Sequence, residues 1–214
     1  HAEGEPTEYA AQAVKLGLTE IGFTEHAPMP GDGFDNWRML ESEMDIYHEK
    51  LDQAEKDNPE INILRSLEVD YLPDYTEWIK SLSNLYEWDY LIGSVHYLGD
   101  KWSFDHPDHR DSWHGKDLSS VWSQYYIRLI ESVKIGVFNI IGHCDLIKVF
   151  GHRPDCDLSP LWIPFLEEVK NQDIAIEINT GGLKKPCGEM YPEPALLEMA
   201  AKMEVGLTFG SDAH

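Results

Sequence analysis

The chain has 214 residues, of which 42% are hydrophobic and 26% charged, the balance of a folded globular protein with enough mass for a sizeable core. Against 17 basic residues stand 39 acidic ones, a net charge of -22. Such a surface repels nucleic-acid backbones and anionic membranes, while a small phosphorylated substrate stays open because bound metal ions invert the local field. No apolar run approaches the ~18 residues of a membrane helix. The three cysteines, Cys144, Cys156 and Cys187, are an odd number without a C-x-x-C pair. That argues against a disulfide framework or zinc ribbon and for a reducing, cytoplasmic setting.

From the N-terminus, Tyr9, Ala10, Ala13 and Val14 mark one face of a helix over 7–16, opened by Pro6 and stopped by Gly17. A strand follows at Glu20–Thr24. Ser42 is placed to cap a helix over 43–57, whose Met44, Tyr47, Leu51 and Ala54 recur at helical spacing. Asn62–Val69 reads as a strand. A helix opened by Asp74 carries Tyr75, Trp78, Ile79, Leu82 and Leu85, and Asp89–Val95 is a third strand. Leu118, Val121, Trp122, Tyr125, Leu129 and Val133 form the stripe of a long helix ending near Gly136. Then come strand Phe138–Gly142, helix Leu161–Asn171 with Pro164 near its start, strand Ile174–Ile178, helix Pro194–Lys202 and strand Val205–Phe209. One helix per strand with short connections predicts a single α/β domain over 1–214 with a parallel sheet. Because a helix opens the chain, we expect a strand before His1. Seven strands then favour a closed or nearly closed βα barrel. The two long loops, 27–41 and 98–116, are rich in Gly, Pro, Asp, Trp and His, and loops of that length are commonly functional.

The C-terminal edge of the strands carries the chemistry. The strands run into Glu25-His26, Glu68 with Asp70 beyond it, His96, His143-Cys144-Asp145, Glu177 with Asn179, and Asp212-Ala213-His214. In a βα barrel these ends share one mouth. Any one of these residues alone is unremarkable. Four histidines and two carboxylates (Glu68 and Asp212) at five strand ends predict a metal centre of Zn, Fe or Mn. Glu68 has the two oxygens that bridging two ions requires. No G-x-S-x-G elbow or P-loop is present, and Cys144 reads as a small buried residue behind the site rather than a nucleophile.

The segments Thr24-Glu25-His26-Ala27-Pro28, Leu67-Glu68-Val69-Asp70, Ile92-Gly93-Ser94-Val95-His96-Tyr97, Ile141-Gly142-His143-Cys144-Asp145 and Gly210-Ser211-Asp212-Ala213-His214 together resemble the PHP (polymerase and histidinol phosphatase) superfamily. The nearest branch is the histidinol-phosphate phosphatases, through His1-Ala2-Glu3-Gly4, Asp105-His106-Pro107-Asp108-His109, Phe150-Gly151-His152-Arg153 and the stretch 179–186. The resemblance implies a distorted (βα)7 TIM-like barrel, lacking here its first strand and last helix, and hydrolysis of histidinol phosphate in histidine biosynthesis. It implies about three divalent metal ions, on His1, His26, Glu68, His96, His143, Asp212 and His214. One ion falls to His1, His26 and His214; a second to Glu68, His96 and His143; a third shares Glu68 and Asp212. Asp212, Glu68 and His143 are the expected catalytic groups. Another small phosphate ester or nucleotide, or a non-catalytic metal-binding role, are the alternative readings.

For the phosphate, Arg153 offers a planar fork in the loop after the fourth strand, with surface pairing to Asp155 or Asp157 as its bland alternative. Lys184 is a second expected contact, and Glu25 and Asn179 complete the expected substrate-binding set. Asp105, Trp102 and Trp37 in the long loops are candidates for an amine-bearing leaving group. No nucleic-acid or membrane partner is expected.

Overall fold

The computed structural model describes residues 2–31, 33–99 and 101–213. Its contacts gather the chain into two compact units, one reaching Val69 and including Glu77–Ile92, the other comprising Asp70–Thr76 and Gly93–Ala213. All six predicted strands are present. They form one sheet in the order β1 (Glu20–His26), β2 (Asn62–Asp70), β3 (Ile92–Ser94), β6 (Ile140–Ile141), β7 (Ala175–Asn179) and β8 (Gly206–Gly210). The pairings β1–β2, β6–β7 and β7–β8 are parallel, as one helix per strand requires.

In the first unit, α1 (Pro6–Lys15) and α2 (Met44–Asp57) meet through small residues. Ala10, Ala13 and Ala54 are buried with Ile61 and Ile63, and Val14, Ile21 and Phe23 close over them. Alanines at the contact let the helices and strands approach closely without cavities. From α2 the buried Tyr47 reaches the sheet, its hydroxyl 2.9 Å from the carbonyl oxygens of both Phe23 and Ser66. Burial pushes this phenol far above its ordinary range, so it is a permanent donor that ties α2 to β1 and β2. The register that results sets His26 beside Glu68.

In the second unit, α4 (Leu118–Lys134) buries Val121, Trp122, Tyr125, Tyr126, Leu129 and Val133, the predicted stripe, and Asp117 caps it through Ser119 N. Tyr125 does for β6 what Tyr47 does for β2. Its hydroxyl donates to His143 O and accepts from Leu146 N, each at 3.2 Å, fixing the turn that leaves the strand. The 98–116 loop holds its own structure: the antiparallel pair β4 (Tyr97–Leu98) and β5 (Trp102–Ser103), and a 3-10 stretch Pro107–Trp113. Buried Trp113 anchors it by donating to Phe104 O. Helices α5 (Ser159–Asn171) and α6 (Pro194–Lys202) complete the alternation.

Local differences from the expected elements have local causes. Ser42 does not cap α2; it lies in a 3-10 turn, Glu41–Glu43, whose entry is closed by Glu43 Oε2 accepting from Leu40 N. Pro73 starts a 3-10 turn before α3 (Thr76–Leu82), and Leu85 falls outside that helix, half exposed. The third strand shrinks to Ile92–Ser94; ahead of it Asp89 meets β2 with its carboxylate accepting from Arg65 N at 2.6 Å and its own N–H donating to Arg65 O at 2.9 Å. Among the described residues no helix is long and apolar enough to cross a membrane.

Candidate metal centre

Six strand ends and the turns that leave them supply the candidate residues. At the end of β1 and β2, His26 Nδ1 lies 3.6 Å from Glu68 Oε2. The His26 ring stands edge-on to Trp37, 4.5 Å between centroids, so the 27–41 loop packs on this ligand candidate. Glu68 and Asp70 lie two residues apart on one strand and share a face. Asp70, buried, takes the His96 ring nitrogen Nδ1 at 2.7 Å. A carboxylate only accepts, so Nδ1 carries the hydrogen and Nε2 keeps its lone pair for a metal.

The His143 backbone is held from both sides. Its carbonyl accepts from Tyr125, and its N–H donates to Glu177 Oε2 at 3.0 Å. The same carboxylate oxygen accepts from Asn179 Nδ2 at 3.0 Å, and Asn179 Nδ2 also lies 3.4 Å from Asp212 Oδ2. Asn179 Oδ1 accepts from Gly181 N at 2.8 Å. The rings of His96 and His143 sit 5.0 Å apart. Glu68, His96 and His143, all buried, each bring a ligand atom within 4.8 Å of the others. Two imidazoles and a carboxylate in that span, one imidazole with its tautomer already set, fit a divalent transition metal such as zinc.

The other expected residues fall as follows. Asp212 is tied to this network through Asn179, and its φ of 48° puts a non-glycine residue in the left-handed region. His1 and His214 lie outside the described residues. Glu25 accepts from His26 N at 3.1 Å. The Asn179 amide is engaged within the protein at both ends, and Lys184 is exposed at the end of a 3-10 turn. Arg153 pairs with Glu189 and Glu193, partners 36 and 40 residues away, rather than its neighbours Asp155 or Asp157. Trp102 donates to Ser112 Oγ, and Asp105 accepts from Ser103 Oγ. Cys144 is fully buried, and that burial holds its thiol well above the ordinary range, which removes it as a thiolate nucleophile.

The sequence places Asp70 and Glu177 at strand ends but gives them no role there. They stand two residues from chosen residues on the same strand face, a signal that could have marked them. Lys148 gave no such signal. It is fully buried, with Nζ 2.8 Å from Asp145 Oδ2 and 2.7 Å from Met190 O, and Asp145 Oδ2 also accepts from Glu193 N. Burial outweighs the lysine and pushes the Asp145 carboxyl up to about 6.

Parallel strands ending in histidines and carboxylates around a metal-fitting cluster define a metal-centred α/β enzyme domain. The model of the PHP domain matches residues 1–181, and the chain belongs to that family. A Deinococcus radiodurans protein named "Probable histidinol-phosphatase" is 36% identical, the match covering all of this chain and 82% of that one. The "Histidinol-phosphatase" of Bacillus subtilis is 30% identical over 97% of this chain and 86% of its own. In three dimensions, a Lactococcus lactis histidinol phosphate phosphatase, solved with zinc, L-histidinol and phosphate, superposes with a TM-score of 0.80 at 24% identity, over 100% of this chain and 81% of that one. That likeness shows a shared TIM-like α/β fold.

Proposed function

We propose that this chain is a metal-dependent phosphatase that hydrolyses histidinol phosphate to histidinol and phosphate, a step of histidine biosynthesis in the cytoplasm. The observation that carries it is the convergence of Glu68, His96 and His143, within a chain whose 30–36% identical relatives bear that activity in their names. The relative solved with zinc, histidinol and phosphate supports zinc as the metal and a small phosphate monoester as the substrate.

We assign Glu68, His96 and His143 to one ion, with His26 and Asp212 extending the ligand set toward three ions. His1 and His214, outside the described residues, complete that assignment. When bound, the metal supplies Lewis acidity toward the phosphoryl oxygens and a water nucleophile at neutral pH. The protein's part is to hold and orient. Asp70 keeps His96 in one tautomer, and Glu177 and Tyr125 fix the His143 backbone. Arg153 is assigned to the phosphate. Its fork, now on Glu189 and Glu193, would exchange those carboxylates for phosphate oxygens as substrate arrives. Lys184 is a second phosphate contact, and Glu25 faces the amine of the leaving group. The whole chain acts as one catalytic domain.

The test measures phosphate release, with added zinc or manganese, from histidinol phosphate and from a panel of nucleoside monophosphates and sugar phosphates. A preference in kcat/KM for histidinol phosphate supports the assignment. A preference for another ester would replace the substrate, and no release from any ester would remove the reaction. Within that assay Arg153→Ala should lose about 1.5–3 kcal/mol of kcat/KM while retaining metal. An unchanged kcat/KM would take Arg153 out of the phosphate site.

A further inference from the structure

The buried carboxylate of Glu177 is not among the expected metal ligands or substrate contacts, yet it lies at the junction of three strand ends. It projects from β7 across β8 at Gly210. A Cβ on Gly210 would come within 1.7 Å of Glu177 Oε1, so the carboxylate crosses β8 only because position 210 lacks a side chain. The φ of Gly210 is not in the left-handed region, so backbone conformation does not demand glycine there. The close approach does.

What Glu177 reaches by that passage is specific. Oε2 accepts from the backbone N–H of His143 and from Asn179 Nδ2, both at 3.0 Å. His143 belongs to the cluster that fits a metal. Asn179, so held, presents Nδ2 to Asp212 Oδ2 at 3.4 Å and accepts from Gly181 N through Oδ1. Asp212 needs such help, because its φ of 48° is unfavourable for a side-chain-bearing residue and persists only where the surroundings over-determine it. A single acceptor oxygen therefore ties the start of one metal-ligand residue to the carboxylate of another, 69 positions apart in the chain. An apolar side chain at 177 would leave the His143 N–H without its acceptor in a buried place.

We propose that Glu177 is a positioning residue for the metal centre, acting through His143 and, by way of Asn179, through Asp212, and that Gly210 exists as glycine to let it pass. The inference rests on the metal-centre reading above. Glu177→Ala should lower zinc affinity by roughly 10–100-fold, the usual cost of removing a group that orients ligands, and kcat should fall more than KM changes. Glu177→Gln, with its carbonyl in the place of Oε2, keeps both accepted hydrogen bonds, while an amide NH2 replaces Oε1 and the charge is lost. It should stay within about tenfold of the wild type in zinc affinity.

The decisive measurement is a double-mutant cycle read as zinc affinity by competition with a chelating dye. Gly210→Ala displaces Glu177 by sterics, so it should reproduce Glu177→Ala. The double variant should be no worse than either single one, because the alanine at 177 vacates the space that the new Cβ needs. Multiplying losses would show that the two positions act independently and would overturn the proposal. So would wild-type zinc affinity in Glu177→Ala with only a lower Tm, or in Gly210→Ala. If Glu177→Ala does not fold, Gly210→Ala compared with Glu177→Gln carries the test, with low affinity expected in the first and near-normal affinity in the second. If wild-type protein binds no zinc, the metal-centre reading itself fails, an outcome separate from any contrast among the variants.

Discussion

His96 and His143 are supported in opposite ways. The ring of His96 is held by a side chain, Asp70, at its own Nδ1. His143 is held by its backbone, between Tyr125 and Glu177. A carboxylate on the ring fixes both orientation and tautomer, and so acts directly on the basicity of the ligand atom. Bonds to the backbone fix where the residue starts and leave the ring nitrogen to be chosen by what it binds. The first support should be felt mainly in metal affinity. Of the backbone supports, Tyr125 should be felt mainly in stability, whereas Glu177, which also reaches Asp212 through Asn179, should be felt in metal affinity as well.

The largest effect tests the premise that the two rings serve a common centre. Zinc at about a thousand times its Kd adds about 4 kcal/mol to the stability of a protein that binds it only when folded. Thermal unfolding with zinc and then with a chelator should show that increment in the wild type and lose it in Glu68→Ala. A zinc-induced rise in Tm that survives Glu68→Ala would separate Glu68 from the histidines.

Next in size is the ring support. Asp70→Ala should reduce zinc affinity by roughly 10–100-fold, and Asp70→Asn, which keeps an acceptor of the same shape, should lose less. Equal losses in the two would mean that charge, not orientation, is what Asp70 supplies. The backbone support gives the contrasting result. Tyr125→Phe removes one group that both donates to His143 O and accepts from Leu146 N. Denaturant unfolding should show about 1–3 kcal/mol of lost stability from those buried partners, with zinc affinity changed less than in Asp70→Ala. The reverse ranking would invalidate the distinction between ring and backbone support.

The smallest effect uses a histidine outside the metal centre as a control. His48 stacks on Tyr86 at 4.0 Å and packs near Trp88, and its Nε2 is buried without a hydrogen-bond partner. Burial, and secondarily Arg65, hold its pKa below the ordinary 6.5. The folded protein thus binds this proton less readily than the unfolded chain does. His48 stability is present above about pH 6.5 and is lost as pH falls through the folded value. His48→Phe keeps the stacking and removes the titration, so its Tm should fall less than the wild type's between about pH 7.5 and pH 5. An identical fall would mean that acid sensitivity arises elsewhere.

Helix α6 runs from Pro194 to Lys202 as its proline and apolar spacing predict, and α2 and the stripe of α4 follow their periodicity. The six strands and the polar residues at their ends were equally legible, because a period of two and one helix per strand are properties of neighbouring residues. The partners of those polar residues were not legible. Asp70 meets His96 across 26 positions, Glu177 meets His143 across 34, and Lys148 meets Met190 across 42. Ser42, expected to cap α2, instead lies in a 3-10 turn whose entry Glu43 closes by reaching back to Leu40 N. Local patterning determines which residues arrive at a strand's end. Only the packed sheet decides which carboxylate, hydroxyl or missing side chain waits there, since a hydrogen bond in a desolvated site depends on atoms that sequence separation leaves unrelated.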